Sequence, residues 1–190
     1  MDPKFWEEPD ISEIKIRGKT YMTDNVKVCA DPTAFELVGV DFFELPNHSD
    51  RYHIGARPES LVQVKTEAEE VPFMFIINLI IPGPPHLSMV LYFAPNEASP
   101  VRTDGSPFSR LMVEFLDGTD EQRKDRFKVI PRIVEGGWIV KQAVKNKPTI
   151  LGHKIYQPYF KGANYIEVDV DITSSATACA VLGICMPLAK

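Results

Sequence analysis

The chain has 190 residues, of which 44% are hydrophobic and 25% are charged, and its formal net charge at pH 7 is −5. This length and composition fit one globular domain over residues 1–190 and exclude a disordered chain, because the apolar content suffices for a core. The acidic balance argues against a nucleic-acid-binding protein, since phosphate binding needs a basic face.

Neither a leader peptide nor a membrane-spanning helix is expected. Glu7 and Glu8 stand where a signal peptide would carry an apolar stretch, and no segment reaches the ~20 apolar residues that a spanning helix needs. The cysteines, Cys29, Cys179 and Cys185, lack CxxC spacing, which favours buried, reduced thiols in a cytoplasmic protein. Any membrane contact is then expected to be peripheral.

The first half of the chain is dominated by strand patterns. Short strands are predicted over 14–17 and 35–43, and a short helix is predicted within 61–68. The strongest signal is a pair of apolar runs, 73–81 and 87–93, separated by a Pro-Gly-Pro-Pro-His turn that no helix can cross. These runs are predicted to pair antiparallel at the centre of a sheet.

Two short helices are predicted after this hairpin. The first begins at Pro107 with Ser106 as its N-cap, and apolar residues recur at helical spacing over 108–116. The second begins with a capping box formed by Thr119 and Gln122.

The last third of the chain returns to strands and then to a helix. Apolar and acidic residues alternate cleanly over 165–172, and Ser174 or Ser175 caps an apolar helix over 176–186. Further strand candidates lie at 127–134, 138–144 and 150–160. The order of elements predicts an α+β fold with a curved, mainly antiparallel sheet, two short central helices and a C-terminal helix.

Short segments spread over nearly the whole chain form a recognisable combination. They are WEEP (6–9), FELV (35–38) followed by Asp41, PGPPHLS (82–88) leading into YF (92–93), FLDGTD (115–120), VIP (129–131), GWIVKQ (137–142), LG (151–152) and NYIEVDVDITSS (164–175). In this order and at these intervals they resemble the C-terminal domain of the enhanced-disease-resistance proteins of plants.

This resemblance implies which domains accompany this one in larger proteins, but it implies no catalytic reaction. In the larger plant members the domain follows a phosphoinositide-binding pleckstrin-homology domain and a START lipid-transfer domain, and those proteins resemble negative regulators of defence and cell death. The domain itself has no assigned catalysis. Its relatives continue beyond the C-terminal helix into a longer apolar segment, which this chain is expected to lack.

No catalytic or metal-binding motif is found in the sequence. The four histidines, His48, His53, His86 and His153, do not have the spacing of metal ligands, and His86 is expected to pack within the proline-rich turn. Nucleophile elbows, phosphate loops and dinucleotide fingerprints are absent from the sequence. We therefore expect no catalytic residues, no metal site, no cofactor and no enzymatic activity.

Glu167, Asp169 and Asp171 share one predicted strand face, with carboxylates ~7 Å apart along it. Ion pairs with neighbouring strands are the favoured interpretation, a solvated face is the second and a functional site is the third. Three like charges in apolar surroundings would be costly without a cation. The basic residues considered for these pairs are Arg132, Lys141 and Lys154.

The leading functional hypothesis is a lipid- or membrane-binding module, regulatory in stress or defence signalling. START-like domains enclose an apolar ligand between a curved sheet and a C-terminal helix, and the element order is compatible with that arrangement. The candidate pocket residues are Phe75, Ile77, Leu91, Phe93, Trp138, Val140, Ile166 and Val168. Each of them, taken singly, is also a suitable residue for a filled core.

Basic residues are predicted to contact an anionic membrane surface, where each contributes about 1 kcal/mol. The first candidates are Arg123, Lys124, Arg126 and Lys128, and a second group comprises Lys141, Lys145, Lys147 and Lys154.

Two other functions remain open. A protein-interaction domain with a filled core would use exposed aromatic residues such as Phe5, Trp6, Tyr156 and Tyr159. A hydrolase would need Asp169 within hydrogen-bond reach of His86 or His153.

Overall fold

The computed structural model describes residues 14–66, 73–96, 105–130 and 148–186. In chain order, the elements are β1 (Lys15–Arg17), α1 (Tyr21–Asp24), β2 (Lys27–Cys29), β3 (Phe35–Glu44), α2 (Leu61–Thr66), β4 (Met74–Ile81), β5 (Leu87–Pro95), α3 (Pro107–Asp117), α4 (Asp120–Lys124), β6 (Lys128–Val129), β7 (Thr149–Ile150), β8 (Tyr159–Lys161), β9 (Tyr165–Asp171) and α5 (Ala176–Cys185). Single 3-10 turns lie at Ser49–Arg51, Ile54–Ala56 and Ile172–Ser174.

Strand β4 lies at the centre of a five-stranded sheet with the order β3-β5-β4-β9-β8. It pairs antiparallel with β5, as the two apolar runs predict, and parallel with β9. The outer pairs β3–β5 and β8–β9 are antiparallel. The predicted α+β class with a curved, mainly antiparallel sheet is therefore confirmed, whereas likeness to a START domain stays a prediction.

One face of the sheet, hereafter the apolar face, is hydrophobic on every central strand because side chains alternate along each strand. Helix α3 packs against it through Phe115 and Leu116. The apolar face comprises Val40 and Phe42 of β3, Phe75, Ile77 and Leu79 of β4, Met89, Leu91 and Phe93 of β5, and Ile166, Val168 and Val170 of β9.

The opposite face, hereafter the loop face, lies beneath residues 45–62. There Ile76 of β4 and Tyr92 of β5 are completely buried against Ile54 and Val62 of the covering segment. The acidic side chains of β9 lie on this same face, one strand away from Ile76.

The predicted helix starts are confirmed by their caps. Ser106 Oγ accepts a hydrogen bond from the N–H of Ser109 at 3.0 Å, and Thr119 and Gln122 form the reciprocal capping box. Ser175, the second of the two serines considered, caps α5 by accepting from the N–H of Ala178.

Two expectations need correction, and two others fall wholly or partly outside the described residues. The single strand predicted over 150–160 is wrong, because the chain turns at Gly152, which packs so closely on α4 that a Cβ there would lie 2.7 Å from Lys124 Cα. Cys29 is a free, exposed thiol rather than a buried one. The strand predicted over 138–144 lies outside the described residues, as does the second half, 131–134, of the strand predicted over 127–134.

None of the helices in the described ranges has the length and apolar character needed to cross a bilayer.

We expect Ile76→Ala to lower the free energy of unfolding by about 2–5 kcal/mol, because it leaves a cavity beneath the loop-face core. Ile16→Ala is the matched control, since Ile16 is exposed on the separate β1–β2 hairpin, and its effect should stay within about 0.5 kcal/mol. Urea unfolding followed by circular dichroism measures both values. Equal losses in the two variants would contradict the central position of β4.

Candidate functional site

Three carboxylates of β9 are buried beneath the covering loop. The exposed fractions of Glu167, Asp169 and Asp171 are 0%, 0% and 3%. The predicted alternation of apolar and acidic residues is confirmed, but the interpretation of the acidic side as a solvated face is wrong.

Consecutive backbone amides of the loop bind the first two carboxylates. The N–H groups of Ile54 and Gly55 donate to Oε1 and Oε2 of Glu167 at 2.7 and 2.8 Å. The N–H of His53 donates to Oδ2 of Asp169 at 2.9 Å. Successive N–H groups that converge in this way form a concave anion-binding site, here called the amide nest of residues 53–55.

The amide nest depends on an unusual backbone conformation. His53 has φ 55° and ψ 49°, in the left-handed region, and the 3-10 turn Ile54–Ala56 follows directly. A left-handed residue next to a right-handed turn points successive N–H groups in one direction, which is the geometry of such nests. The imidazole of His53 stacks on Phe160 at 4.4 Å, and its Nε2 lies 2.9 Å from the hydroxyl of Tyr165.

Of the ion pairs favoured for the acidic residues, the pair with Lys154 is not formed, and those with Arg132 and Lys141 stay predictions. Within the described part of the chain no lysine or arginine binds Glu167 or Asp169, and Lys154 is exposed. The buried guanidinium of Arg51 instead donates to two carbonyl oxygens of the loop. Asn78 supplies the remaining side-chain contact, donating from Nδ2 to Oδ1 of Asp169 at 3.1 Å. The other basic residues considered, Arg132 and Lys141, lie outside the described residues.

One shared proton explains how two carboxyl groups remain buried together. Burial, followed by the charge of Glu167 and a hydrogen bond with it, raises the pKa of Asp169 to about 9. A pKa of about 9 keeps the Asp169 carboxyl protonated at neutral pH, and the amide nest donates to both carboxyl groups. No cation is needed to balance the pair, so the cost that three like charges would impose does not arise.

Asp171 connects the same loop to the start of α5. The hydroxyl of Tyr52 donates to Oδ2 of Asp171 at 2.7 Å, and burial, then this hydrogen bond, raise the pKa of Tyr52 above its ordinary value. The N–H of Thr173 donates to Oδ1 of Asp171 at 3.0 Å. His48 Nε2 lies 3.7 Å from the same carboxylate. The loop and the turn before α5 thus share one carboxylate.

The acidic residues do not form the hydrolytic site considered from the sequence. His153 binds Asp125 at 2.6 Å on the surface, and Nδ1 of His86 accepts from the N–H of Gly83 within the proline-rich turn. The histidine that binds Asp169 is His53, through its backbone N–H, and the sequence did not indicate this contact because it spans more than a hundred residues. In the described ranges no group of three His, Cys, Asp or Glu residues has the geometry of a metal site.

The predicted pocket residues that the structure describes lie together on the apolar face. Phe75 is opposite Phe93, and Ile77 is opposite Leu91, in the register of the central hairpin. Ile166 and Val168 are buried beside them on β9, whereas the residues of β4 and β5 are only half-buried. Trp138 and Val140 lie outside the described residues.

The predicted membrane-contact residues are mostly engaged within the protein. Arg123 is buried, and its guanidinium donates to the carbonyl oxygens of Phe115 and Leu116 and to Asp120. It therefore ties the end of α3 to α4 and is unavailable to a membrane. Lys124 and Arg126 form ion pairs with Glu121 and Glu114, and Lys128 is exposed.

A family model described as "Protein ENHANCED DISEASE RESISTANCE 2, C-terminal" matches residues 6–190. The chain is also 39% identical over 179 residues to "Protein ENHANCED DISEASE RESISTANCE 2-like" from Arabidopsis thaliana. The alignment covers 94% of this chain and 23% of that relative, so the chain spans about a quarter of the relative's length. No solved structure matches the chain significantly.

We expect Gly55→Ala to destabilise the amide nest. A Cβ at this position would lie 2.9 Å from each of Glu167 Oε2, Ile76 Cδ1 and Tyr165 Cε2, and overpacking of this kind costs about 1–3 kcal/mol. Gly183→Ala in α5 is the control, because nothing lies within 4 Å of its added Cβ and alanine favours a helix by up to about 1 kcal/mol. Thermal unfolding compares the two, and a neutral Gly55→Ala would contradict the close contact.

Stability should fall as pH rises through the titration of Asp169. The folded protein binds this proton more tightly than the unfolded chain, in which aspartate titrates near pH ~3.9. The stabilisation is fully present below that unfolded pKa and is lost as pH rises through the folded value of about 9. Asp169→Asn removes the titrating group, so urea unfolding at several pH values should give a flatter profile for this variant. Parallel profiles for the two proteins would contradict the shared proton.

Proposed function

The chain belongs to the family of the C-terminal domain of Protein ENHANCED DISEASE RESISTANCE 2, and on this premise we propose that it is a non-enzymatic module that binds a lipid through its apolar face. The observation that carries the proposal is the unequal cover of the two faces. On the central strands, Ile76 and Tyr92 of the loop face are completely buried, whereas Phe75, Ile77 and Leu91 of the apolar face are half-buried.

Large apolar side chains on central strands are normally fully covered, since their burial is the main source of folding free energy. Where such a face stays partly open, it marks a ligand groove or an interaction surface. Phe42 extends the open part of the face onto β3, since it pairs with Met89 and is exposed.

Helix α5 adds apolar surface. The stretch 172–186 contains no charged residue, and both Ile184 and Met186 are exposed. This surface favours contact with hydrocarbon over contact with water. We therefore propose a cytoplasmic protein that meets membranes peripherally.

Absence of enzymatic activity forms part of the proposal. The acidic residues of β9, which are the strongest chemical feature of the described residues, are buried and bound by backbone amides. A general acid or base needs direct access to its substrate. The buried position of Glu167 and Asp169 therefore supports a structural role.

We propose a regulatory role in defence only because of the name of the similar Arabidopsis thaliana protein. The name of the Arabidopsis thaliana protein refers to disease resistance, and the chain covers 23% of that protein. A protein-interaction domain is the second candidate, favoured by the exposed Tyr156 and by the exposed pair Phe108 and Leu111 on α3.

The proposal predicts that Phe42→Glu reduces lipid binding without unfolding the protein. A charge on the open part of the apolar face opposes contact with hydrocarbon, and Phe42 is 46% exposed, so its replacement leaves the core intact. Val28→Glu on strand β2 of the β1–β2 hairpin is the matched control, because Val28 is also 46% exposed.

Native mass spectrometry of gently purified protein and sedimentation with neutral and anionic vesicles measure the binding. The wild type and Val28→Glu should retain lipid, and Phe42→Glu should retain several-fold less. If no lipid co-purifies and no vesicle retains the wild type, the proposed function is wrong.

A further inference from the structure

Within the part of the chain that the structure describes, a completely buried amide on the apolar face has no hydrogen-bond partner. Gln157 precedes β8, and the pairs Tyr156–Asp171 and Tyr159–Val168 place it opposite Val170. Its exposed fraction is 1%, yet neither Nε2 nor Oε1 is hydrogen-bonded. A primary amide has two donors and an acceptor with two lone pairs, and each buried unsatisfied group costs about 1–3 kcal/mol.

A second polar group without a partner lies two residues further on. The hydroxyl of Tyr159 is buried and makes no hydrogen bond to any described residue, although its ring packs edge-on against Phe115 at 6.0 Å. Residues i and i+2 of a strand share one face and are ~7 Å apart. The β8 edge of the apolar face therefore carries an amide and a hydroxyl among hydrocarbon side chains.

We propose that Gln157 and Tyr159 form the polar end of a lipid-binding site, where they bind the uncharged hydroxyl or amide group of a neutral amphipathic lipid. This inference rests on the proposed function and specifies its ligand class. The hydrocarbon of the lipid lies along the apolar face, next to Val170 and Leu79, which are neighbours in the parallel register.

Among the described residues, no free counter-charge lies beside Gln157, and this determines the class of headgroup. A charged group buried beside Gln157 would need a compensating charge. Arg123 lies near the ring of Tyr159, at 5.6 Å from its centroid, but its guanidinium is bonded to Asp120 and two carbonyls. A hydroxyl or an amide satisfies Gln157 as both donor and acceptor without adding a charge.

Access to the amide requires movement. Both amide atoms are shielded from solvent, so the lipid must displace the side chains that cover them. The lipid-free protein carries the cost of the unpaired amide, and a bound hydroxyl group removes it. Binding of this kind couples the polar contact to the partial opening of the apolar face.

Substitution of Gln157 should have opposite effects on the lipid-free and the lipid-bound protein. Gln157→Leu removes the unpaired amide, so the delipidated variant should melt at the same temperature as the wild type or higher. The same change removes the contact with the lipid, so retention should fall about tenfold. Gln63→Leu is the matched control, because Gln63 donates to the carbonyl of Gly55 at 2.7 Å; it should melt lower and bind lipid as the wild type does.

Thermal melts of delipidated protein and sedimentation with three vesicle types carry out the test. The vesicles are phosphatidylcholine alone, phosphatidylcholine with ceramide or diacylglycerol, and phosphatidylcholine with phosphatidylserine. The expected result is retention by the second type and its loss in Gln157→Leu. Retention only by the anionic vesicles, equal retention by Gln157→Leu, or a lowered melting temperature of that variant would overturn the inference while leaving lipid binding intact. A wild type that binds none of the vesicles refutes the proposed function, and the inference with it.

Discussion

The carboxyl pair of Glu167 and Asp169 accepts three hydrogen bonds from the amide nest of residues 53–55, and this contact joins the covering loop to the sheet. A buried carboxylate is costly unless its lone pairs are satisfied and its charge is offset. Here Asp169 keeps a proton at neutral pH, and three backbone N–H groups donate to the pair. The same contact holds Ile54 over Ile76, so the polar interaction and the loop-face core stabilise each other.

Because residues 45–62 cover only one side of the sheet, the loop face is closed and the apolar face is partly open. The loop face has every acidic group bound and its central apolar residues fully buried. The apolar face keeps half-buried residues on β4 and β5. Within the described ranges, buried polar atoms without hydrogen-bond partners occur on both faces, such as Gln157 and Tyr159 on the apolar face and Asn78 Oδ1 and Ser88 Oγ on the loop face. We propose the lipid contact on the apolar face because its large apolar side chains on β4 and β5 are less completely covered than those of the loop face.

Local patterns were sufficient to predict the elements whose causes are local. The central hairpin follows from two apolar runs and a proline-rich turn, and the starts of α3 and α4 follow from Ser106 and Thr119. The turn that interrupts the predicted strand over 150–160 depends on Gly152 packing against α4. That contact is tertiary, so no pattern within the strand itself indicates it.

The site was predictable only in part, for a similar reason. The alternation of β9 indicated that three carboxylates share a face, but it did not indicate what lies above them. Their partners are backbone amides about 110 residues earlier in the chain, held by a histidine in the left-handed region where glycine or asparagine would be the usual signal. Backbone donors cannot be recognised from the side chains in a sequence, so ion pairing was the natural expectation.

The most direct test of the amide nest is amide hydrogen exchange at His53, Ile54 and Gly55. Donation to buried carboxylates predicts that these loop amides exchange as slowly as those of β4, close to the rate of global unfolding. Exchange as fast as at exposed Asp50 in the same loop would contradict the amide nest and the account built on it.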